Sequence, residues 1–386
     1  MATGNGQRAT AAARPAQAAG AATIAQIDAT PFRLHYAQAV SLSDGVREDA
    51  EQVLVRVTTS DGVIGYAECI PRPGIYGETL AGARAIIEGF LGPRVIGTRL
   101  TDLQLLAGKL AALKANPAAR ASIELAALDA LARTLELPAY RLLGGAVAEV
   151  PCAAILAYGE ADAVLAEARS LRESGGICTF KLKIGSSPVR DAQLTRALRS
   201  ELGDEVTIYA DANGRYRPQE AALFLRLTAD VGLWALEEPT GAASLLARAR
   251  LAAAAPTLIL GDETCADVRA AAAELVAGRC TAVSLKLART GIVGSTRIRE
   301  HCAALGVPVA IGTQADSAIG AYAAAAFAAA SPTTAQGPAE LLFFRSFANN
   351  PVTVLPEIRD GRLRLPEEPG FGFEIDEHAL AEATVR

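Results

Sequence analysis

The stretch TFKLKIG, Thr179 to Gly185, decides how the chain is read, because it sets two lysines, Lys181 and Lys183, one residue apart in an apolar run. Successive side chains of a strand alternate between faces, so Phe180, Leu182 and Ile184 share one side and both lysines the other. Lysines so placed commonly blunt an exposed sheet edge. The rest of the chain decides whether this strand is such an edge.

Downstream of Gly185 the chain repeats one kind of unit. VTIYADAN, LWALEEP, LILGDET, AVSLKLA and VPVAIGT are short apolar strands that end in polar residues and alternate with Ala/Leu/Arg-rich helical segments. Lys183, Asp211, Glu237, Asp262 and Lys286 succeed one another at intervals of 24–28 residues. That is the length of one strand, one helix and two loops. A repeated βα unit with a polar residue at each strand end predicts an α/β fold, a modified (β/α)8-type (TIM-like) barrel with its active site at the carboxyl ends of the strands. A closed barrel has no edges, so the lysine side of TFKLKIG faces the barrel mouth.

The preceding part of the chain has a different texture. Gln52 to Gly62, QVLVRVTTSDG, alternates apolar and polar residues and turns at Asp61-Gly62 into VIGYAEC, the pattern of an antiparallel hairpin. From Gly82 to about Gly144 the spacing becomes helical, with Ile123, Ala127, Leu128, Leu131 and Leu135 at three- and four-residue steps. The expected division is a disordered tail over 1–23, an α+β capping domain over 24–150 with a contribution from about 350–386, and a catalytic barrel over 151–349.

Composition excludes several classes. With 386 residues, 51% hydrophobic and 20% charged, and a net charge of −5, the chain is globular, with no general attraction for nucleic acid or anionic membranes. Its six cysteines have no CxxC spacing and are expected as reduced core residues. The Ala/Gly/Thr/Arg-rich opening lacks the apolar core of a secretory signal, and no uninterrupted apolar run is long enough to span a bilayer. A cytoplasmic location is expected.

Asp211, Glu237 and Asp262 end three consecutive strands, which lie about 4.8 Å apart. A single Asp or Glu usually pairs with an arginine or caps a helix, but three in register converge on one point and call for a hard divalent cation, Mg²⁺ by their all-oxygen chemistry. Glu237 and Glu238 are adjacent, so only one faces the mouth. Trp234 and Leu236 are bulky and expected against the helices, which puts Ala235 and Glu237 on the inner side. Glu238→Gln is accordingly expected to matter far less than a change at Asp211. Across from the acids, Lys183 and Lys286 suit proton transfer at a carbon next to a carboxylate, and Lys181 beside Lys183 would lower its pKa by like-charge repulsion.

TFKLKIG, ADAN, LEEP, GDET, SLKLARTG and GTQADSAIG, in this order, resemble the muconate lactonizing enzyme subgroup of the enolase superfamily, and ELAALDALARTLELPAYRLLGG and GYAEC resemble its capping domain. The resemblance covers nearly everything after residue 23. It implies Mg²⁺, with Mn²⁺ able to substitute, held by Asp211, Glu237 and Asp262. It also implies acid/base residues Lys183 and Lys286 on opposite faces of a small carboxylate substrate, Lys181 tuning Lys183, and a homo-oligomer. Asn213 and Glu263 stand beside the ligands as supporting polar groups. Two capping-domain loops, here about 37–48 and 71–79, would select the substrate, and Tyr76 and His35 belong to that region. Asp316 takes the eighth-strand position where family members often have Glu, and Ile292 replaces the second Gly of the sixth-strand motif.

The expected activity is a metal-dependent isomerase that forms an enediolate from a carboxylate substrate. Asp316, as a partner for a substrate ammonium or amide, tilts the reading toward a racemase or epimerase of an amino-acid derivative or dipeptide. A muconate-type cycloisomerase or a syn-dehydratase of the o-succinylbenzoate synthase kind is the alternative. A noncatalytic small-molecule binder would not need all five chemical positions filled.

Overall fold

The computed structural model describes residues 21–42 and 45–385. Most of the expected tail, residues 1–20, lies outside the described residues. Its last residues do not: Ala22 is buried, and its carbonyl accepts from the amide of Leu100 at 3.0 Å.

Three strands form the cap sheet: β1 (Ile24–Leu42), β2 (Gly45–Thr59) and β3 (Ile64–Cys69), antiparallel in that order. The β1/β2 hairpin runs from Ile24↔Thr59 to Leu42↔Gly45, with a register shift between His35 and Val40. The first expected specificity loop is therefore mostly the two arms of this hairpin. The second contains a helical turn, Pro73–Tyr76. Against the sheet lies the helix Pro117–Thr134, buried on nearly every side, as its Ala/Leu-rich sequence dictates.

After the short strand β4 (Glu149–Pro151) come seven parallel strands: β5 (Ala153–Leu156), β6 (Thr179–Lys183), β7 (Thr207–Asp211), β8 (Ala235–Glu237), β9 (Leu258–Gly261), β10 (Ala282–Leu285) and β11 (Val309–Ile311), hydrogen-bonded in sequence order. The inner faces pack Ala153, Tyr209, Ala235, Leu260, Ala282 and Ala310 into a floor. Phe180, Leu182, Ile208, Leu236 and Ile259 join the larger outer core beneath the helices. Leu236 thus faces the helices as its size predicts, but Trp234 does not: it packs edge-on against Tyr209 at 5.7 Å, where the small floor alanines leave room.

The eighth barrel position is not a full strand. Ala339 bridges Ile311, its carbonyl accepts from the amide of Ala153 at 2.6 Å, and the amide of Glu340 donates to Ile311 at 2.8 Å. This short segment joins β11 to β5. The chain then returns to the cap, where Phe347 pairs with Tyr36 and Thr384 with Phe32. Of the last two strands, β12 (Ile358–Arg359) pairs with β13 (Arg362–Arg364), and β13 pairs with β4.

All six cysteines are free thiols; five are buried, but Cys178, expected in the core, is exposed. Among the described residues no helix is long and apolar enough to cross a membrane.

Cap and barrel also meet through two buried acids, Glu68 of β3 and Asp316 after β11. Glu68 accepts from the amide of Ser317 at 3.0 Å and from its hydroxyl. Burial and the charge of Asp316 raise Glu68 to about 8, and burial raises Asp316 to about 6. Both values exceed those of the unfolded chain, so the folded state retains protons that the unfolded chain has shed. The stabilisation from these protons is complete below about pH 4 and is lost as pH rises through about 6 and then about 8. Urea unfolding at pH 6 and pH 9 is expected to show wild type losing on the order of 2 kcal/mol more than Glu68→Gln across this window. Equal losses in the two proteins would contradict the shift.

Candidate active site

Register puts the strand-end residues together. Lys183 pairs with Asp211 across β6 and β7, and Asp211 with Glu237 across β7 and β8. Asp262 is the residue after β9. All three carboxylates are fully buried.

Lys181 lies beneath them, 2% exposed, with its ammonium 3.1 Å from Asp211 Oδ2, 2.9 Å from Glu237 Oε2 and 2.9 Å from Glu340 Oε1. Burial alone would lower its pKa, but Asp211, Glu237 and Glu340 outweigh burial and hold it well above the ordinary lysine value. Lys181 is therefore a fixed cation. Lys183 Nζ donates to the same Asp211 oxygen at 2.6 Å and to Asn213 Oδ1 at 2.9 Å. Asn213 Nδ2 in turn donates to Glu263 Oε1 at 3.1 Å. Glu263 is thus tied to Asn213.

On the other side, Lys286 donates to Asp262 Oδ2, and Arg289 donates to Asp262 Oδ1 at 2.7 Å. Burial opposes the Lys286 ammonium, but Asp262 outweighs burial and lifts it above the ordinary value. Asp211 is held at about 2, because Lys181 and Lys183 outweigh the effect of burial. Glu237 goes the other way. Burial and repulsion from Asp211 raise it well above the ordinary carboxyl value, since its lysine is shared among three acids.

Glu238 turns away from the mouth with a left-handed φ of 38°. Its Oε1 accepts from the amides of Asp262 (2.7 Å) and Thr264 (2.9 Å) and from the Thr264 hydroxyl (2.6 Å), while Arg248 Nη1 donates to Oε2 at 2.8 Å. Parity correctly separates the two glutamates, but the inference that Glu238 is nearly dispensable does not follow. It builds the turn that presents Asp262, and the fully buried Arg248 has this acid as its nearest counter-charge. Glu238→Gln is expected to destabilise the fold by about 3 kcal/mol by leaving that guanidinium short of charge, read as a lowered melting temperature. A melting temperature within a degree of wild type would contradict this.

The mouth opens into a cavity of about 760 Å³ that reaches Lys181, Lys183, Lys286, Asn213, Glu263 and Glu340. The cap supplies Ala37–Val40 from the hairpin and Arg72, Ile75 and Tyr76 from the turn. Tyr76 OH accepts from Gln314 Nε2 at 2.5 Å.

Two expected substrate contacts lie elsewhere. His35 is exposed outside the cavity, its ring 2.6 Å from Asp49. Asp316 does not line the cavity and does not end the eighth strand. It follows β11, the seventh, and is buried beside Glu68, with Oδ1 accepting from the Gln314 amide at 3.2 Å. Glu340 takes the eighth position instead: it accepts from Lys181 (2.9 Å), Tyr209 OH (2.8 Å) and the Thr313 amide (3.0 Å). Sequence reasoning missed Glu340 because GPAEL carries no strand pattern. The one available signal was a further interval of about one βα unit beyond VPVAIG.

Among the described residues no three acids, histidines or cysteines form a closed metal cage. The donors nevertheless fit a hard divalent cation. Asp211, Glu237 and Asp262 offer only oxygen, and Glu237 Oε2 is buried without an aligned hydrogen-bond donor, although Lys181 Nζ is 2.9 Å away.

Residues 26–144 match the mandelate racemase/muconate lactonizing enzyme N-terminal domain, and residues 163–379 match the enolase C-terminal domain-like family. The chain belongs to the muconate lactonizing enzyme subgroup of the enolase superfamily. Muconate cycloisomerase 1 of Pseudomonas putida is 33% identical over 85% of this chain and 89% of its own. The muconate lactonizing enzyme of Mycobacterium smegmatis, solved with muconolactone, superimposes with a TM-score of 0.92 at 36% identity, covering 94% of this chain and all of that one. The dipeptide epimerase of Enterococcus faecalis, solved with Mg and L-Leu-L-Tyr, superimposes with a TM-score of 0.86 at 27% identity, covering 91% and 99%. The protein is an enzyme of the isomerase class within this superfamily.

Proposed function

We propose that this enzyme is a muconate-type cycloisomerase, interconverting a six-carbon diene dicarboxylate and its lactone with Mg²⁺ at Asp211, Glu237 and Asp262. The carrying observation is the charge of the cavity wall. Arg72 and Arg345 face it together with the lysines. Of the described acids that line it, Glu340 is bonded to Lys181 and Glu263 to Asn213, and Glu167 is an exposed residue of the helix Ala161–Gly175. Among the described residues the strand ends leave a substrate ammonium only Glu263, which a neutral amide holds, whereas two guanidiniums suit a second carboxylate. The case for an epimerase rested on Asp316, which is buried away from the cavity.

A divalent cation bound there would neutralise the charge that develops on the substrate carboxylate as the α-proton moves. Lys183 and Lys286, anchored to Asp211 and Asp262 on opposite sides of the site, hold ammonium groups where that proton is exchanged. In lactonisation the distal carboxylate oxygen forms the ring C–O bond, the π pair of the C=C bond it adds to moves onto the α-carbon and its carboxylate, and one lysine delivers its proton to that α-carbon, while the other C=C bond remains in the ring. In the reverse direction the same lysine takes that proton as the C–O bond breaks. Lys181 keeps positive charge beside the acids throughout. Sharing Asp262 with a cation would reduce the lift on Lys286 and bring it closer to the base form.

Incubation in D₂O with Mg²⁺ tests the proposal. Muconolactone is expected to exchange a hydrogen next to its carboxylate and to equilibrate with the diene acid, while L-Leu-L-Tyr is expected to stay unexchanged. The opposite pattern would establish an epimerase.

A further inference from the structure

Lys286 sits where β10 ends, and the helix Leu287–Leu305 after it is broken one turn later. Gly291 adopts φ 64° and ψ −179°, so Leu287–Thr290 is a separate turn and the regular helix resumes at Ile292. The gap is filled by a carboxylate from the cap. Glu124, on the helix Pro117–Thr134, accepts from the amide of Val293 at 3.1 Å and occupies the N-terminal end of the resumed helix, where an anion is favoured. A Cβ at residue 291 would lie 2.6 Å from Glu124 Oε2, so the glycine is required by the acid as well as by its dihedral angle.

The first turn of the same cap helix, little more than one turn before Glu124, is tied to the cavity. Glu78 accepts from the amides of Ala118 (3.1 Å) and Ala119 (3.2 Å) at the first turn of Pro117–Thr134. Glu78 lies two residues beyond Tyr76, in the segment that also brings Arg72 to the cavity. One buried helix thus joins the substrate-facing turn of the cap to the helix that starts after Lys286.

We infer that Glu124 is a positioning residue for Lys286, fixing the break at Gly291 and with it the short turn that sets the lysine against Asp262. The inference rests on Lys286 being an acid/base group of the proposed reaction. Arg289, within that turn, grips Asp262 through its guanidinium, so the turn's orientation and the lysine's reach are set together. Burial raises Glu124 to about 7. Its role does not depend on ionisation, since a neutral amide oxygen can also accept from Val293.

Glu124→Ala, Glu124→Gln and Gly291→Ala test this. Glu124→Ala is expected to speed amide hydrogen exchange over residues 285–295 about tenfold with residues 179–185 unchanged. It is expected to lower kcat about 10- to 100-fold with KM within about threefold of wild type. Glu124→Gln is expected to recover most of both losses. Gly291→Ala keeps the acid but crowds it, and is expected to reproduce the alanine phenotype should Glu124→Ala fail to fold. Unchanged exchange over 285–295, or faster exchange with kcat intact, would overturn the inference. If wild type proves inactive on muconolactone, the proposed function fails but this inference is still decided. The ratio of acylation at Lys286 to that at Lys183 by acetic anhydride, read by mass spectrometry, is then expected to change in Glu124→Ala and return in Glu124→Gln. A constant ratio would refute positioning.

Discussion

Asp211→Asn is expected to fold, to bind Mg²⁺ at least about a hundredfold more weakly and to lose about a thousandfold in turnover. The loss follows from charge, because one of three converging anions becomes neutral. The fold should survive because the Asn213 amide still has Oδ1 to donate to, and Lys181 keeps Glu237 and Glu340. Isothermal titration with Mg²⁺ and with Mn²⁺, beside steady-state kinetics on muconolactone, measures both effects. Unchanged metal affinity would remove Asp211 from the ligand set.

The second large effect concerns the lysines. Muconolactone has two hydrogens on the carbon next to its carboxylate, and a lysine on one face of the site reaches one of them. In wild type, one hydrogen is expected to exchange with D₂O. Alanine at whichever of Lys183 or Lys286 faces that hydrogen should abolish the exchange and lower lactone formation by about 10³-fold or more. Alanine at the other should leave the same hydrogen exchanging at a reduced rate, because it removes charge stabilisation and not the base. Proton NMR of the stereospecifically assigned methylene group distinguishes the two variants. Exchange of both hydrogens in wild type, each lost in a different variant, would mean that both lysines transfer protons and would point to epimerisation.

Much of this site was legible because a barrel strand carries strong local signals. The alternation in TFKLK places both lysines inward, and the repeat length locates Asp211, Glu237, Asp262 and Lys286 at successive strand ends. Failures came where no local signal exists. The eighth position is held by an isolated bridge at Ala339, so nothing in its sequence reads as a strand, and the motif that resembles it, with Asp316, belongs to the end of the seventh. Size alone predicts Trp234 against the helices, yet the floor of small alanines accepts a large ring. Strand parity gives only the direction in which Glu238 points. Its importance lies in three hydrogen bonds to residues 262 and 264, a tertiary fact that strand parity does not encode. The contacts of Glu124 and Glu68 likewise depend on how the cap is docked.

The return of the chain to the cap after the barrel has a consequence for the order of folding. His35 donates its amide to Asn349 across 314 residues of chain, and β1 meets Thr384 beyond that. The cap sheet and its long helix can form as soon as residues 24–134 are available, but their last partners arrive only after every barrel strand has been made. Closing so long a loop is entropically slow unless the intervening chain has already condensed. The barrel is therefore expected to collapse first as an open seven-stranded sheet, with Lys181 still hydrated. Arrival of Ala339 and Glu340 then seals the seam, buries that ammonium among its acids, and delivers the closing segment to the waiting hairpin. Substrate selectivity, which needs the hairpin fixed in place, would be the last property the chain acquires.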